Sequence, residues 1–420
     1  MAIEILIIAD DLTGAADTAV QFSKQGIRAA LFPAPEIDID RLDPAIKVVA
    51  VDTESRHCPQ DEAYHRVKAV AEKARARGCR RFYKKIDSTF RGNVGAELES
   101  LMAASGAPRL ALVPAYPAAG RTTGDGYQYV NGMPLNESVF ARDPREPVSE
   151  SYIPAILGRQ TSLPIHRIGV ASVRAGKAMT DLQSGIFLFD AITDDDLCAI
   201  AKNLDKSGDL DVVAGAAGFA ETLAGLYRQK IPGALLPRPA LHYAERLLIV
   251  NGSLNDVSLG QVADAKKEGV RCFLLPKDML PGDGGGGTGK RRISADAVVQ
   301  CLNNDRCAMV TTAESLQDTI APTRYADLIG GIVSSIVAQI PAVNVAVFGG
   351  DTAAAVCRKL GCNVVYPCDE IMPGLTVCLT RGNVGADVQN ALILKSGGFG
   401  SGDVINKIKK YLKIRGEFTK

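Results

Sequence analysis

A two-domain α/β protein, with a doubly wound and mainly parallel sheet in its N-terminal domain, is the fold this sequence predicts. Three observations carry that expectation. Runs rich in Ile and Val alternate with longer amphipathic patterns, the rhythm of strands joined by covering helices. In the first half these runs end in turns crowded with carboxylates, cations and hydroxyls, and in the second half they end in glycine turns. The chain also has 420 residues, more than one hydrophobic core usually holds.

In chain order, Ile3 to Ile8 reads as a strand, followed by a turn and a helix from about Thr13 to Gln25, with Ala16, Val20 and Phe22 on its apolar side and Gly26 as its stop. Ala29 to Phe32 and Val48 to Val51 read as the next strands. Pro59 opens a helix that runs to Arg77 with acids in its first turn. Phe82 to Ile86 is a strand, Gly95 to Ala104 a helix and Leu110 to Val113 a strand. Between Ala115 and Pro154 the pattern breaks into Gly, Pro, Asn and Arg. Tyr116, Tyr127, Tyr129 and Phe140 mark this as a functional excursion, because disordered linkers are poor in aromatics.

Alternation resumes with the strand Ile186 to Asp190, a helix from Asp194, the strand Leu210 to Ala214 and the helix Phe219 to Arg228. The domain change is placed between Leu236 and Leu247, giving domains 1–240 and 241–420. In the second domain, strands are expected at Leu247 to Val250, Cys272 to Pro276, Ala308 to Thr311, Val343 to Phe348, Thr376 to Thr380 and Ala391 to Lys395. Helices are expected near Ala295 to Asn303, at Tyr325 to Gln339, up to Lys359 and over Gly402 to Tyr411. The glycine-rich run at 282–289 nearly spells a P-loop. Arg291 stands where a hydroxyl is needed and no strand precedes it, so it reads as a surface loop.

Composition narrows the function. Forty-eight Lys and Arg against 47 Asp and Glu leave a formal charge of +1, so no global field draws nucleic acid or a membrane surface. The longest apolar runs, such as Ile3 to Ala9, are too short to cross a bilayer. The start at Met1, with Glu4 in a strand-like run, is not a signal peptide. Ten cysteines without a CxxC pair read as a reduced, cytoplasmic protein. Four scattered histidines give no basis for a His-based metal site.

Two groups of turns carry the chemistry. Asp10 and Asp11 sit at the end of the first strand and suit hydroxyl recognition, base catalysis or Mg2+; the alternative is that one of them only caps the helix. Lys85, Asp87, Ser88, Arg91 and Asn93 follow another strand and offer an arginine clamp for a carboxylate with hydroxyl and amide partners; the alternative is a surface strand with solvated lysines. Asp52, Ser55 and Arg56 complete a polar pocket suited to a small polyhydroxylated acid. In the second half, Asn251 and Ser253, then Gly349, Gly350, Asp351 and Thr352, then Lys395, Ser396, Gly397, Gly398, Phe399 and Gly400 form turns suited to phosphate.

These motifs, in order, resemble the four-carbon acid sugar kinase family: Ile8 to Thr18, Lys84 to Asn93, Pro117 to Thr122, Val130-Asn131-Gly132 with Phe140 to Pro144, Asn251-Gly252-Ser253, Gly349 to Thr352, Pro373-Gly374 and Lys395 to Gly400. The likeness spans essentially the whole chain. It implies an ATP-dependent kinase acting on the C4 hydroxyl of D-threonate, D-erythronate or 3-oxo-tetronate, with the acid in the N-terminal domain, ATP and Mg2+ in the C-terminal one and the active site in the cleft between them. The segment Lys84 to Gly92 is more like the threonate and erythronate branches than the oxo-tetronate branch; D-threonate is the first expectation, with D-erythronate or 3-oxo-tetronate as the alternatives. The run at 282–289 departs from the pattern, and Asp351 stands where relatives often carry Glu.

On this basis Arg91, with Ser88 and Asn93, is expected to hold the acid, and Asp10 or Asp11 to orient the hydroxyl and take its proton. The Mg2+ ligands stay unassigned, and a homodimer is the base expectation. Two rivals share the α/β rhythm. An NAD-dependent dehydrogenase would need a dinucleotide fingerprint where Asp10-Asp11 stand, and a sugar-acid sensor would bind without transferring phosphate.

Overall fold

The computed structural model describes residues 3–143, 145–177, 179, 184–231, 243–275, 294–312, 322–340, 342–380 and 390–413. The glycine-rich run at 282–289 and the expected domain change at 240 lie outside them. The chain forms two compact units, Met1–Arg238 and Pro239–Lys420.

The first unit contains β1 (Ile5–Ala9), α1 (Leu12–Lys24), β2 (Ala29–Phe32), β3 (Val48–Asp52), α2 (Gln60–Ala76), β4 (Arg81–Lys85), α3 (Val94–Ser105) and β5 (Arg109–Val113). It continues with β6 (Arg121–Gly124), β7 (Tyr127–Val130), β8 (Met133–Pro134), α4 (Ile153–Leu157), β9 (Ile165–Ile168), α5 (Val170–Arg174), β10 (Gly185–Phe189), α6 (Asp194–Ser207), β11 (Val212–Gly215) and α7 (Ala217–Tyr227). Its main sheet runs β2-β3-β1-β4-β11-β5-β10-β9, and every pairing in it is parallel. All residues of β1 and β3 are buried, as strands covered on both faces must be. One layer of helices is α1, α7, α6 and α5, each packed on the next; α2, α3 and α4 make the other. From β1 the chain crosses to β2 on one side, and from β3 it crosses to β4 on the other. The sheet therefore changes direction between β1 and β4, where doubly wound folds open a crevice beyond their strand ends.

The excursion after β5 is ordered. β6, β7 and β8 form a small antiparallel sheet through two tight turns, Asp125-Gly126 and Asn131-Gly132. Both residues of each turn take positive φ, as short hairpins require. Phe140 is buried, and the Tyr127 ring packs on Tyr152 with centroids 4.9 Å apart.

The second unit contains β12 (Leu247–Asn251), α8 (Asp256–Lys267), β13 (Arg271–Leu275), α9 (Ala295–Asp305), β14 (Cys307–Thr312), α10 (Pro322–Gln339), β15 (Asn344–Phe348), α11 (Gly350–Lys359), β16 (Val365–Met372), β17 (Leu375–Thr380), β18 (Ala391–Lys395) and α12 (Val404–Leu412). Strands β13-β14-β12-β15-β18 are parallel, and β17 and β16 extend the sheet antiparallel. Leu247, Ile249, Phe348 and Ile393 pack with Val262 and Ala265 of α8 and Ile405 and Ile408 of α12 in one core. Here the direction changes between β12 and β15. The glycine turns after β12, β15 and β18 thus leave three neighbouring strands at the same end.

Candidate functional site

In the first unit the site grows from the start of α1. Asp11, in extended backbone before the helix, accepts from the Gly14 amide at 2.9 Å and the Thr13 hydroxyl at 2.7 Å, so it is the helix cap. Gly14 permits a close approach, because a Cβ there would lie 2.6 Å from Asp11 Oδ1 and 3.2 Å from Lys85 Nζ. Arg56, from the turn after β3, donates to both oxygens of buried Asp10, from Nε at 2.7 Å and Nη2 at 2.9 Å. Its Nη2 is also 2.9 Å from Asp11 Oδ1. One guanidinium thus separates two carboxylates that would otherwise repel. Burial pushes the Asp10 carboxyl up, but Arg56, Lys84 and Lys85 outweigh it and hold the group below its ordinary range.

Asp52 behaves oppositely. Burial, with the carboxylates of Asp11, Glu54 and Asp10, pushes it well above the ordinary range against a hydrogen bond from the Glu54 amide at 2.8 Å. Beneath the site, Lys84 Nζ lies 3.0 Å from Glu97 Oε2 with both side chains fully buried. Ser55 donates to Glu97 and shares a 2.7 Å hydrogen bond with Thr53. The idea of solvated surface lysines fails here, because Lys84 is 0% and Lys85 6% exposed.

In the loop after β4, two of the expected site residues already have protein partners. Arg91 is already engaged: Nε is 2.6 Å from Asp87 Oδ2, Nη1 is 3.0 Å from Asp143 Oδ2, and its guanidinium lies over the Phe140 ring. Asn93 donates through Nδ2 to the carbonyls of Ser55 and Cys58, at 3.0 and 2.9 Å, and so ties two loops together. Ser55 likewise lies in the buried network. The loop is held in an unusual shape, with Phe90 at φ 57° in the left-handed region that a bulky residue rarely enters. Gln128 of β7 fastens it by donating to the Ser88 carbonyl at 2.9 Å.

Other groups keep bonding capacity among the described residues. Lys85 Nζ donates to a single acceptor, the Ile86 carbonyl at 2.7 Å, and acts on Asp10 only from beyond ion-pair distance. Arg56 Nη1, the Ser88 hydroxyl and Asp52 Oδ2 make no protein hydrogen bond. A cation, a guanidinium N–H, a hydroxyl and a carboxyl together can receive a small hydroxylated anion.

In the second unit the three glycine turns touch where side chains are missing. A Cβ at Gly252 would lie 2.0 Å from Thr352 Oγ1, and one at Gly397 would lie 2.6 Å from Ser253 Oγ. Gly349, at φ 106°, has Ser253 as its nearest neighbour and leaves α11 without a side-chain cap. The start of α11 is therefore the positive end of a helix dipole with no side chain of the cap residue on it. Asn251 donates to the Ser253 carbonyl and Thr311 Oγ1, both at 3.2 Å, while its Oδ1 is buried without a partner.

The loop after β18 has its carbonyls turned inward. Lys395 Nζ donates to the Ser396 and Gly397 carbonyls at 3.0 and 3.2 Å; Ser258 and Gln261 of α8 reach the Gly397, Phe399 and Ser401 carbonyls. The amides of Gly397, Gly398 and Gly400 make no hydrogen bond among the described residues. The Phe399 ring fills the space beside Gly374, where a Cβ would lie 2.5 Å from its Cγ. Asp351 is exposed in the first turn of α11. No group of three or more metal-ligating side chains occurs among the described residues.

Sequence reasoning missed Glu97 beneath the first site, Gln128 beside it, and Ser258 and Gln261 beneath the second. The polar pair three residues apart after the Asn255 cap was the available signal for the last two.

Comparison with known proteins adds an independent finding. Residues 5–223 match the family model of a sugar-binding N-terminal domain, and residues 248–405 that of a nucleotide-binding C-terminal domain. The chain is 30% identical to a D-threonate kinase of Salmonella typhimurium, covering 98% of each. It is 29% identical to a D-erythronate kinase of Heliobacterium modesticaldum, covering 97% of each. A crystal structure of a Salmonella typhimurium protein shares the fold with a TM-score of 0.75 at 24% identity, covering 97% of this chain and 99% of that one.

Proposed function

The chain belongs to the four-carbon acid sugar kinase family, and from that premise we propose that it transfers the γ-phosphoryl group of ATP to the C4 hydroxyl of a four-carbon sugar acid, D-threonate first. The observation that carries this reading is the contrast between the two units. One gathers charged and hydroxyl groups with spare bonding capacity around Asp10, Arg56 and Lys85, and the other gathers glycine turns with open amides.

The roles follow from what each group has left to give. Lys85 and Arg56 Nη1 receive the carboxylate of the acid, and Ser88 reads a hydroxyl. Asp52, and Asp10 through its hold on Arg56, orient the group that attacks. The transferring hydroxyl loses its proton to a carboxylate of this cluster, and in-line displacement gives the 4-phosphate and ADP. The amides of Gly397, Gly398 and Gly400 and the start of α11 cradle the phosphates. Magnesium fits as a partner of the nucleotide. Exposed Asp351 would supply a hard oxygen ligand to it, and the bound ion would supply charge neutralisation for the phosphates.

The test is ADP release from Mg-ATP over a panel of D-threonate, D-erythronate, 3-oxo-tetronate and their stereoisomers. Turnover with D-threonate at a kcat/KM at least tenfold above the others supports the full reading. Preference for another member moves the substrate within the family, and no turnover with any member rejects the assignment.

A further inference from the structure

The lysine beneath the phosphate loop is not placed to touch a phosphate. Lys395 ends β18 with 0% exposure, its ammonium 4.8 Å from the centroid of the Phe348 ring. Its three donors are spent on oxygens of the protein: Ser258 Oγ at 3.2 Å and the carbonyls of Ser396 and Gly397 at 3.0 and 3.2 Å. Ser258 in turn donates to the Gly397 carbonyl at 2.8 Å, so helix and lysine grip the same peptide. Gln261, one turn further along α8, holds the carbonyls of Phe399 and Ser401 at 3.1 and 3.2 Å. A peptide whose carbonyl is drawn inward presents the next residue's N–H outward, and a run of such peptides makes an anion-binding concavity.

We propose that Lys395 is a positioning residue: with Ser258 it pulls in the carbonyls of the 396–397 turn, so that the amides of Gly397 and Gly398 face the nucleotide phosphates beside that of Gly400, which Gln261 turns outward through the Phe399 carbonyl, and α8 thereby sets nucleotide affinity. The inference rests on the nucleotide reading of this unit and adds the device that shapes the loop. The ionisable groups on the surrounding elements are Asp256, Asp264, Lys266 and Lys267 of α8, Asp351, Cys357, Arg358 and Lys359 of α11, Cys378 of β17, Asp403 beyond the loop, and Lys407, Lys409, Lys410 and Tyr411 of α12; among the described residues no carboxylate forms an ion pair with Nζ. Burial alone brings the ammonium down to about 7. Phosphates arriving on the far side of the turn favour its charged form, so nucleotide binding is coupled to proton uptake.

The experiment uses the full-length protein and ADP as probe. Titration calorimetry at pH 8 in buffers of different ionisation enthalpy measures affinity and protons taken up, and steady-state kinetics separate KM for ATP from KM for the sugar acid. Wild type is expected to bind ADP with proton uptake. Lys395→Met is expected to lose that uptake and raise KM for ATP about tenfold, leaving KM for the acid unchanged. Ser258→Ala, which keeps the lysine, is expected to raise KM for ATP about threefold, and the double variant less than the product of the two.

An unchanged KM for ATP in Lys395→Met, or a loss confined to kcat, overturns the proposal. If Lys395→Met does not fold, Ser258→Ala decides: a KM for ATP within error of wild type overturns it. Wild type that binds no ADP sinks the nucleotide reading itself, a result distinct from any of these.

Discussion

Burial and the surrounding carboxylates of Asp11, Glu54 and Asp10 push Asp52 well above its ordinary range, so in the folded protein it prefers to be protonated. The sign of the linkage follows. Asp52 favours folding most below its unfolded pKa, and that contribution is lost as pH rises through the raised folded value. Asp52→Asn is therefore expected to raise Tm at neutral pH, with a gain that shrinks toward pH 4, while kcat/KM for the sugar acid falls. Thermal melts across pH and steady-state kinetics check both, and a lower Tm at pH 7 would contradict the linkage. Lys84 and Glu97 form an ion pair in full burial, and burial still pushes the Glu97 carboxyl up against the pull of the lysine. Removing one leaves a bare buried charge at a cost of about 3–5 kcal/mol, whereas Lys84→Met combined with Glu97→Leu should recover most of it. Urea unfolding of the two single variants and the double variant measures this. Such roles were only partly legible in the sequence. Asp10 and Asp11 are adjacent letters, and only folded geometry shows Asp11 capping α1 while Asp10 is locked to Arg56.

At the scale of elements, α8 is where structure and sequence reading part most usefully. No helix was expected between the Asn251-Gly252-Ser253 turn and the strand at Cys272, yet α8 carries Ser258 and Gln261 beneath the phosphate loop. Its buried stripe is thin, with Val262 and Ala265, and exposed Gly260 interrupts it. The same helix supplies a control. Gly252→Ala forces a Cβ within 2.0 Å of Thr352 Oγ1 and should raise KM for ATP at least tenfold, whereas Gly260→Ala meets nothing and should stabilise by about 0.5–1 kcal/mol. Parallel kinetics and melts separate the two. β16 escaped the reading because Pro367, Asp369 and Glu370 argue against a strand, and it has register shifts at Pro367/Asp369 and Glu370/Met372. The small sheet β6–β7–β8 was not expected either, although its turns Asp-Gly and Asn-Gly between short polar-aromatic runs are hairpin signals.

Over the whole molecule one device recurs. In each unit the sheet changes direction beside its first strand, and the turns predicted to carry chemistry leave the strands flanking that point. This much could be read from the chain, because strand-end turns are local in sequence and their residue types announce their ligands. Which side chains remain free was not readable, since it depends on partners far along the chain: Asp143 for Arg91, Ser55 and Cys58 for Asn93, Ser258 for Lys395. The central claim is that this chain phosphorylates a four-carbon sugar acid at its terminal hydroxyl. Phosphorus NMR of a reaction with Mg-ATP and D-threonate tests it most directly. The account predicts ADP and one phosphate monoester coupled to the C4 protons in equal amounts; inorganic phosphate alone, or a signal coupled to C2 or C3, would contradict it.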